Sequence, residues 1–221
     1  MFKPVYILII SLCLLHPAYA SNKTDQSASK IATLAKQGKA AAQYRIGDMY
    51  FFGEGVLKDY KKAFAWYELA ANQGHADAQF SLGWMFDEGE GVPQNFKAAF
   101  KWYQLAAKQG DADAQYNLGV MYDQGNGVPQ NFKAAMKWYQ LAAKQGDAAA
   151  QKSLGWMYKL GEGTPKNLVY AYMWFNLAAY HGDQDAAKTR DSLNKIMIHQ
   201  QVSQAQDLST ACLKTKYQQC Q

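Results

Sequence analysis

Chemistry in a protein has to come from hydroxyl, imidazole, thiol and carboxylate groups, and here few stand at a catalytic spacing. Two Ser-x-x-Lys strings occur, Ser27-Ala28-Ser29-Lys30 and Ser192-Leu193-Asn194-Lys195. On a helix that spacing sets a hydroxyl one turn from an amine, as in serine acyl-transfer enzymes. Those enzymes also carry S-D-N and K-T-G elements, and this chain has neither. The histidines after residue 20 are His75, His181 and His199; none belongs to an H-E-x-x-H string, and all three read as surface residues. The acidic turn Asp87-Glu88-Gly89-Glu90-Gly91 fails the ligand spacing of a calcium loop. The glycine pairs lack the Lys-Ser/Thr that a phosphate cradle needs. The sequence therefore predicts no catalytic residue, no metal site and no cofactor.

The thiols are Cys13, Cys212 and Cys220. Cys13 lies in a stretch that reads as a secretory leader over residues 1–20. Lys3 opens it, Val5 to Leu15 is almost wholly apolar, and Ala18-Tyr19-Ala20 supplies small residues for cleavage after Ala20. The apolar run is short for a bilayer, which needs about 20 residues, and Leu12 before Cys13 does not fit a lipidation site. Cleavage removes Lys3 and no acid, so the formal charge falls from +5 to +4. The Lys and Arg residues form no block, which argues against nucleic acid as a partner. No later stretch is apolar enough to span a membrane. An exported chain meets an oxidising compartment, where a Cys212–Cys220 bridge would add about 2–3 kcal/mol by closing a short loop. Free thiols in a frayed tail are the alternative.

What the chain has in abundance is repetition. Residues 91–112 read GVPQNFKAAFKWYQLAAKQGDA, and residues 127–148 repeat them with a single change, Phe100 to Met136. A period of 36 residues means a repeat array. Four units follow from it, 42–77, 78–113, 114–149 and 150–185. They open with Ala42-Gln43, Ala78-Gln79, Ala114-Gln115 and Ala150-Gln151. In phase come a helix glycine (Gly47, Gly83, Gly119, Gly155), a G-x-G pair (beginning at Gly53, Gly89, Gly125, Gly161), a tryptophan (Trp66, Trp102, Trp138, Trp174), an Ala-Ala pair and a closing glycine.

The spacing predicts two helices per unit. In 78–113 the first runs from about Ala76 to Phe86, with Ala78, Leu82, Met85 and Phe86 on one stripe. Gly89 ends it, because a helix C-cap adopts a positive φ that glycine accepts at no cost. Gly91 and Pro93 make the turn, and Asn95 caps the second helix, as Asp59, Asn131 and Asn167 do in their units. That helix extends from Phe96 to about Gln109 and buries Ala98, Ala99, Trp102, Tyr103, Ala106 and Ala107. On this reading Trp102 fills the wide gap between helices, and Trp102→Ala costs about 3–5 kcal/mol. One helix pair cannot bury both its faces, so neighbouring units must stack.

The ends are atypical. Residues 21–41 hold a polar leader, with a formal sequon at Asn22-Lys23-Thr24, and a half-repeat helix over Ala28 to Gln37. Residues 186–221 abandon the pattern. They read as a capping helix over Ala186 to Ile198, with Ala187, Leu193, Ile196 and Met197 apolar, and a second over Gln201 to Lys214, with Val202, Ala205, Leu208 and Cys212.

Positions that differ between copies are where specificity can be written. Counting from each opening Ala, the second is Tyr44, Phe80, Tyr116 and Lys152; the third is Arg45, Ser81, Asn117 and Ser153. The sixth is Asp48, Trp84, Val120 and Trp156; the tenth is Phe52, Glu88, Gln124 and Leu160. The last three sets share one face of the first helix. Trp84 and Trp156 stand out, since large aromatics are enriched in binding hot spots. The alternative is that they pack between helices.

The unit resembles the Sel-one-like repeat, a relative of the tetratricopeptide repeat, on its Ala-Gln opening, helix glycine, Met-aromatic step, G-x-G turn, tryptophan, Ala-Ala pair and closing glycine. Tyr172 to Ala179, Ala186-Ala187 and Arg190-Asp191 are similar to the ending common in bacterial members. The resemblance implies an α/α solenoid whose first helices line a concave face, and an adaptor role between proteins. A cysteine-rich secreted branch of that family is linked to penicillin binding and β-lactamase activity; it bridges two cysteines within each repeat, whereas the full repeats here contain none.

The sequence therefore predicts an all-α, α/α superhelical solenoid that is exported, periplasmic or secreted. It would act as a non-enzymatic scaffold for a protein or extended peptide lying along the first helices. A hydrolase acting on cell-wall material or β-lactams is the alternative, and stacking of solenoid ends leaves the oligomeric state open. From sequence, Trp84→Ala combined with Trp156→Ala is expected to abolish partner capture while thermal melting stays nearly unchanged.

Overall fold

The computed structural model describes residues 29–217 and 220. The leader, the sequon, and Ser27 and Ala28 lie outside the described residues. Among the described residues every regular element is a helix. A first helix, α1, occupies residues 29–36. Four antiparallel pairs follow: α2 (Ala40–Phe52) with α3 (Tyr60–Ala71), α4 (Ala76–Glu88) with α5 (Phe96–Lys108), α6 (Ala112–Gln124) with α7 (Phe132–Ala143), and α8 (Ala148–Leu160) with α9 (Leu168–Tyr180). Each helix packs on the next, which makes a solenoid, and α10 (Gln184–Asn194) and α11 (His199–Lys214) close it against α9. No helix among the described residues is long and apolar enough to cross a membrane.

Local chemistry sets the boundaries. Gly53, Gly89, Gly125 and Gly161 end the first helices with φ of 78°, 78°, 77° and 85°, and each donates its N–H to a methionine carbonyl one turn back. Asp59, Asn95 and Asn131 accept the backbone N–H three residues on, and Asn167 accepts those of Val169 and Tyr170, satisfying donors that a helix start leaves bare. The first helices of later repeats start the same way, from His75, Asp111 and Asp147. His75 is therefore a half-buried cap rather than the surface residue expected: its Nδ1 accepts from Ala78 N–H at 3.4 Å, and its ring stacks on Tyr44.

Inside each pair the helix glycine faces an aromatic ring. A Cβ built on Gly47, Gly83 or Gly119 would stand 2.4, 2.5 or 2.4 Å from a ring carbon of Tyr67, Tyr103 or Tyr139, and one on Gly155 would stand 2.8 Å from Phe175. These rings, not the tryptophans, are the innermost large side chains. Tyr103 is fully buried, whereas Trp66, Trp102 and Trp138 are only half-buried. The tryptophans lie one step around the helix and seal the seam to the previous repeat: Trp102 packs on the core that holds Tyr67, and Trp138 on the core that holds Tyr103. Only Trp174 is buried, in a repeat that α11 covers.

The second turn glycine belongs to the same seams. A Cβ on Gly91, Gly127 or Gly163 would come within 2.6–2.9 Å of the backbone of Tyr60, Phe96 or Phe132, the first residue of the preceding repeat's second helix. A ladder of buried glutamines ties the units further. Gln43, Gln79, Gln115 and Gln151 each donate through Nε2 to the carbonyl of Ala35, Ala71, Ala107 or Ala143. Three of them also accept, through Oε1, the side-chain amide of Gln73, Gln109 or Gln145. In the fourth repeat that donor is replaced by His181, which bonds to the Tyr217 hydroxyl, and Gln151 Oε1 is buried without a partner.

At the C-terminal end the first capping helix stops at Asn194, earlier than the Ile198 expected. Leu193 and Met197 remain buried, but Ile196, past the helix end, is 69% exposed, because leaving the helix also leaves its phase. Cys212 and Cys220 are paired as a disulfide with Cα atoms 4.7 Å apart, both packed against the core of the last two repeats.

The burial order predicts that Tyr103→Ala lowers stability by about 3–5 kcal/mol. Trp102→Ala, on a half-exposed seam, should cost only about 1–2 kcal/mol, roughly the share of its area removed from water. Urea unfolding of both variants checks this; equal losses would contradict it.

Candidate functional site

Six of the residues singled out for varying between copies meet at one place. Tyr44, Asp48 and Phe52 from α2 and Phe80, Ser81 and Trp84 from α4 line a groove of about 320 Å³ between the first helices of the first two repeats. Phe51 and Tyr67 complete it. Both escaped the sequence reading for physical reasons. Tyr67 belongs to a Trp-Tyr step that three repeats share, which marks it as scaffold. Phe51 sits where the next two repeats carry Asp87 and Asp123, and its difference could have flagged it.

The walls are aromatic. Phe51 meets the Trp84 ring edge-to-face at 5.4 Å and the Phe52 ring at 4.9 Å, and Tyr44 leans on Tyr67 at 5.6 Å. Phe52 forms the outer lip and is 64% exposed. Trp84 is half-buried and packs against the cores of both repeats, so it is partly the inter-helix packer that the sequence left as the alternative. Trp84→Ala is therefore not expected to leave melting unchanged.

The floor carries one carboxylate. Asp48, 8% exposed, accepts the Tyr67 hydroxyl at 2.9 Å. Arg45 Nη1 is 3.8 Å from Asp48 Oδ2, while Arg45 Nη2 is bound to Glu54 at 2.9 Å. Burial holds the Asp48 carboxyl above its ordinary range, against the pull of the Tyr67 hydrogen bond and the Arg45 charge. Burial, together with the charges of Asp48 and Asp77, pushes the Tyr44 hydroxyl up to about 12. Repeats two and three pair the same tyrosine with an acid three positions later: Tyr103 donates to Asp87 at 3.3 Å and Tyr139 to Asp123 at 3.5 Å. The fourth repeat drops both partners at once, with Phe175 for tyrosine and Lys159 for the acid.

The remaining candidates are spread along the same series of helices. Arg45 is exposed and held by Glu54; Glu88 is exposed. Tyr116 stacks at a tilt on Tyr139, as Phe80 does on Tyr103, so one side of each ring is core. Asn117, Val120 and Ser153 are half-buried, and Gln124 is exposed, accepting from Asn126. Lys152 is spent on Asp183 at 2.6 Å. Trp156 is 39% exposed, edge-on to Phe175 with the Lys159 ammonium 4.2 Å above its ring, and Leu160 beyond it is exposed. Ser192 and Lys195 are exposed, and the Ser192 hydroxyl donates to the Lys188 carbonyl. Among the described residues no group of three His, Cys, Asp or Glu side chains could hold a metal ion.

The profile of the Sel1 repeat matches four consecutive segments, residues 40–75, 76–111, 112–147 and 148–183. The chain belongs to the Sel1 repeat family. Each segment opens at the first residue of a repeat's first helix, two residues ahead of the Ala-Gln frame. Among solved structures the chain is similar to a Sel1 repeat protein from Oxalobacter formigenes, with 37% identity and a TM-score of 0.72 over 78% of this chain and 71% of that one. It is also similar to a protective antigen present in uropathogenic Escherichia coli strains and displaying an SLR fold, with 40% identity and a TM-score of 0.70 over 72% of this chain. It covers 34% of the antigen, about a third of that protein's length. No curated protein matches the chain.

The half-buried acids of the second and third repeats give this Sel1 repeat array a pH signature. Burial raises the carboxyls of Asp87 and Asp123 in the folded chain. The folded state then binds protons more tightly than the unfolded state, so the stability they contribute is full below the unfolded carboxylate range, about 4, and is lost as pH rises through the raised values. Asp87→Asn with Asp123→Asn keeps an acceptor for each tyrosine and removes this loss. Its melting temperature should gain on the wild type progressively as pH is raised from about 4 to 7; a constant offset would rule this out.

Proposed function

We propose that this Sel1 repeat chain is an exported, non-enzymatic scaffold that binds a protein or an extended peptide along the face built by its first helices. The observation that carries the reading is the groove between α2 and α4. It collects residues that differ from copy to copy, it is walled by aromatic rings, and its lip residue Phe52 is open to solvent. Exposed aromatic surface of this kind marks recognition sites more often than it marks plain solvent-facing surface. The Sel1 repeat is a scaffold fold commonly used for protein interaction, which agrees with it. Export rests on the leader over residues 1–20 and on the Cys212–Cys220 pair, which suits an oxidising compartment.

The test compares proteins cross-linked to wild type, to Phe52→Ser and to Leu57→Ser in cells of the source organism. Phe52→Ser should lose its partner by tenfold or more while melting within about 1–2 °C of wild type, as an exposed substitution does. Leu57, in the turn beyond the groove and 91% exposed, serves as the control and should keep the partner. Capture that is indifferent to Phe52→Ser removes the groove from the function. Purified protein beginning at Ser21 should give no turnover of a chromogenic β-lactam; turnover abolished by Ser192→Ala would instead establish the hydrolase reading.

A further inference from the structure

The groove differs from an ordinary apolar cleft in one respect: its floor is a carboxylate that protein groups only partly neutralise. Asp48 is nearly excluded from water, Oδ1 takes the Tyr67 hydroxyl, the Tyr44 hydroxyl is a second hydrogen-bonding neighbour, and the nearest cation, Arg45, stands 3.8 Å from Oδ2 while its other nitrogen pairs more closely with Glu54 at 2.9 Å. An apolar occupant would complete the desolvation of that carboxylate and give nothing back, whereas an opposite charge that also donates a hydrogen bond offsets the cost most fully. Around it stand Tyr44, Phe51, Phe52, Phe80 and Trp84, whose ring faces are negative and attract a cation. The two features coincide once in the array, since the position of Asp48 holds Trp84, Val120 and Trp156 in the other repeats.

We infer that this groove receives a lysine side chain of an extended protein partner, with the alkyl stem along the rings of Phe52 and Trp84 and the ammonium against Asp48. The inference rests on the scaffold reading above and names the chemistry of its partner. Lysine fits better than arginine. A planar guanidinium draws its advantage from bidentate pairing with both oxygens of a carboxylate, and Tyr67 already occupies one. An ammonium is a point charge that needs a single oxygen and otherwise accepts ring faces. A long, flexible apolar stem suits a groove whose polar group lies at the bottom rather than at the rim.

The experiment uses the full chain and two acetylated, amidated pentapeptides, Ala-Ala-Lys-Ala-Ala and the same peptide with norleucine for lysine, titrated by saturation-transfer NMR, with choline as a third probe. The lysine peptide should bind at least tenfold more tightly than its norleucine isostere. Asp48→Asn, which keeps an acceptor for Tyr67, should bring the two within about twofold, and its coincident unfolding curve shows that the fold is retained. Equal binding of the two peptides to wild type, or a preference that survives Asp48→Asn, overturns the inference. Choline binding more tightly than the lysine peptide also overturns it, in favour of a small quaternary amine. If neither peptide binds while Phe52→Ser still loses the cellular partner, the lysine assignment falls and the scaffold reading stands; if capture is also indifferent to Phe52, both fall.

Discussion

The contact on which the molecule depends is between a glycine and a ring. In every repeat a tyrosine or phenylalanine of the second helix lies flat on the first helix where its side chain is a hydrogen atom, close enough that a methyl group would overlap the ring. Close packing of this kind is felt through the whole element, since protein interiors have little free volume to absorb a displaced ring. It fixes the distance between the paired helices, and by fixing the ring it also fixes where a tyrosine hydroxyl emerges. An acid must then meet that hydroxyl. In two repeats the acid is Asp87 or Asp123; in the first it is Asp48, and the shift of three positions brings the carboxylate to the floor of the groove. The site is thus a by-product of how the scaffold closes.

The repeat uses different chemistry within a unit and between units. Within a unit the glycine–ring contact is wholly apolar. Between units the seams combine a second glycine against backbone, a half-exposed tryptophan and a glutamine that bridges to the preceding helix. Directional hydrogen bonds set the rotation of one unit on the next, which dispersion alone leaves loose. The candidate site spans such a seam, with one wall from each of two repeats, so its width is set by the stacking geometry rather than by either helix pair alone.

Much of this was legible in the sequence. The number of repeats, the turns and the caps at Asp59, Asn95, Asn131 and Asn167 are local in origin: a positive φ or an orphan N–H is decided by one or two residues. The choice between Trp102 and Tyr103 as the inner ring was not. The two are consecutive, about 100° apart around the helix, and only the facing Gly83, on another helix, settles which lies inside. His75 was misplaced for a similar reason, because imidazole at a helix start does what aspartate does in later repeats. The groove residues, Asp48 among them, could be gathered by their variation, but the burial of Asp48 against a tyrosine hydroxyl showed only once that tyrosine was located. Phe51 and Tyr67 escaped notice, one overlooked beside Phe52 and the other hidden because three of the four repeats share it. Ile196 was assigned to a helix that ends two residues before it.

The glutamine ladder sets a direction on the array. Three rungs are complete, and each needs a glutamine at the end of its own second helix to satisfy the buried one before it. The fourth has surrendered that glutamine to a histidine engaged with the tail, and carries an unanswered carbonyl oxygen as a result. A segment duplicated in register between the second and third units would find both of its neighbours ready to accept it, and the near-identical text of residues 91–112 and 127–148 has the form of such an event. A segment appended after the fourth would find neither the amide nor an open surface. The ladder is therefore self-complementary in the middle of the array and closed off at the fourth unit, where α11 packs on α9.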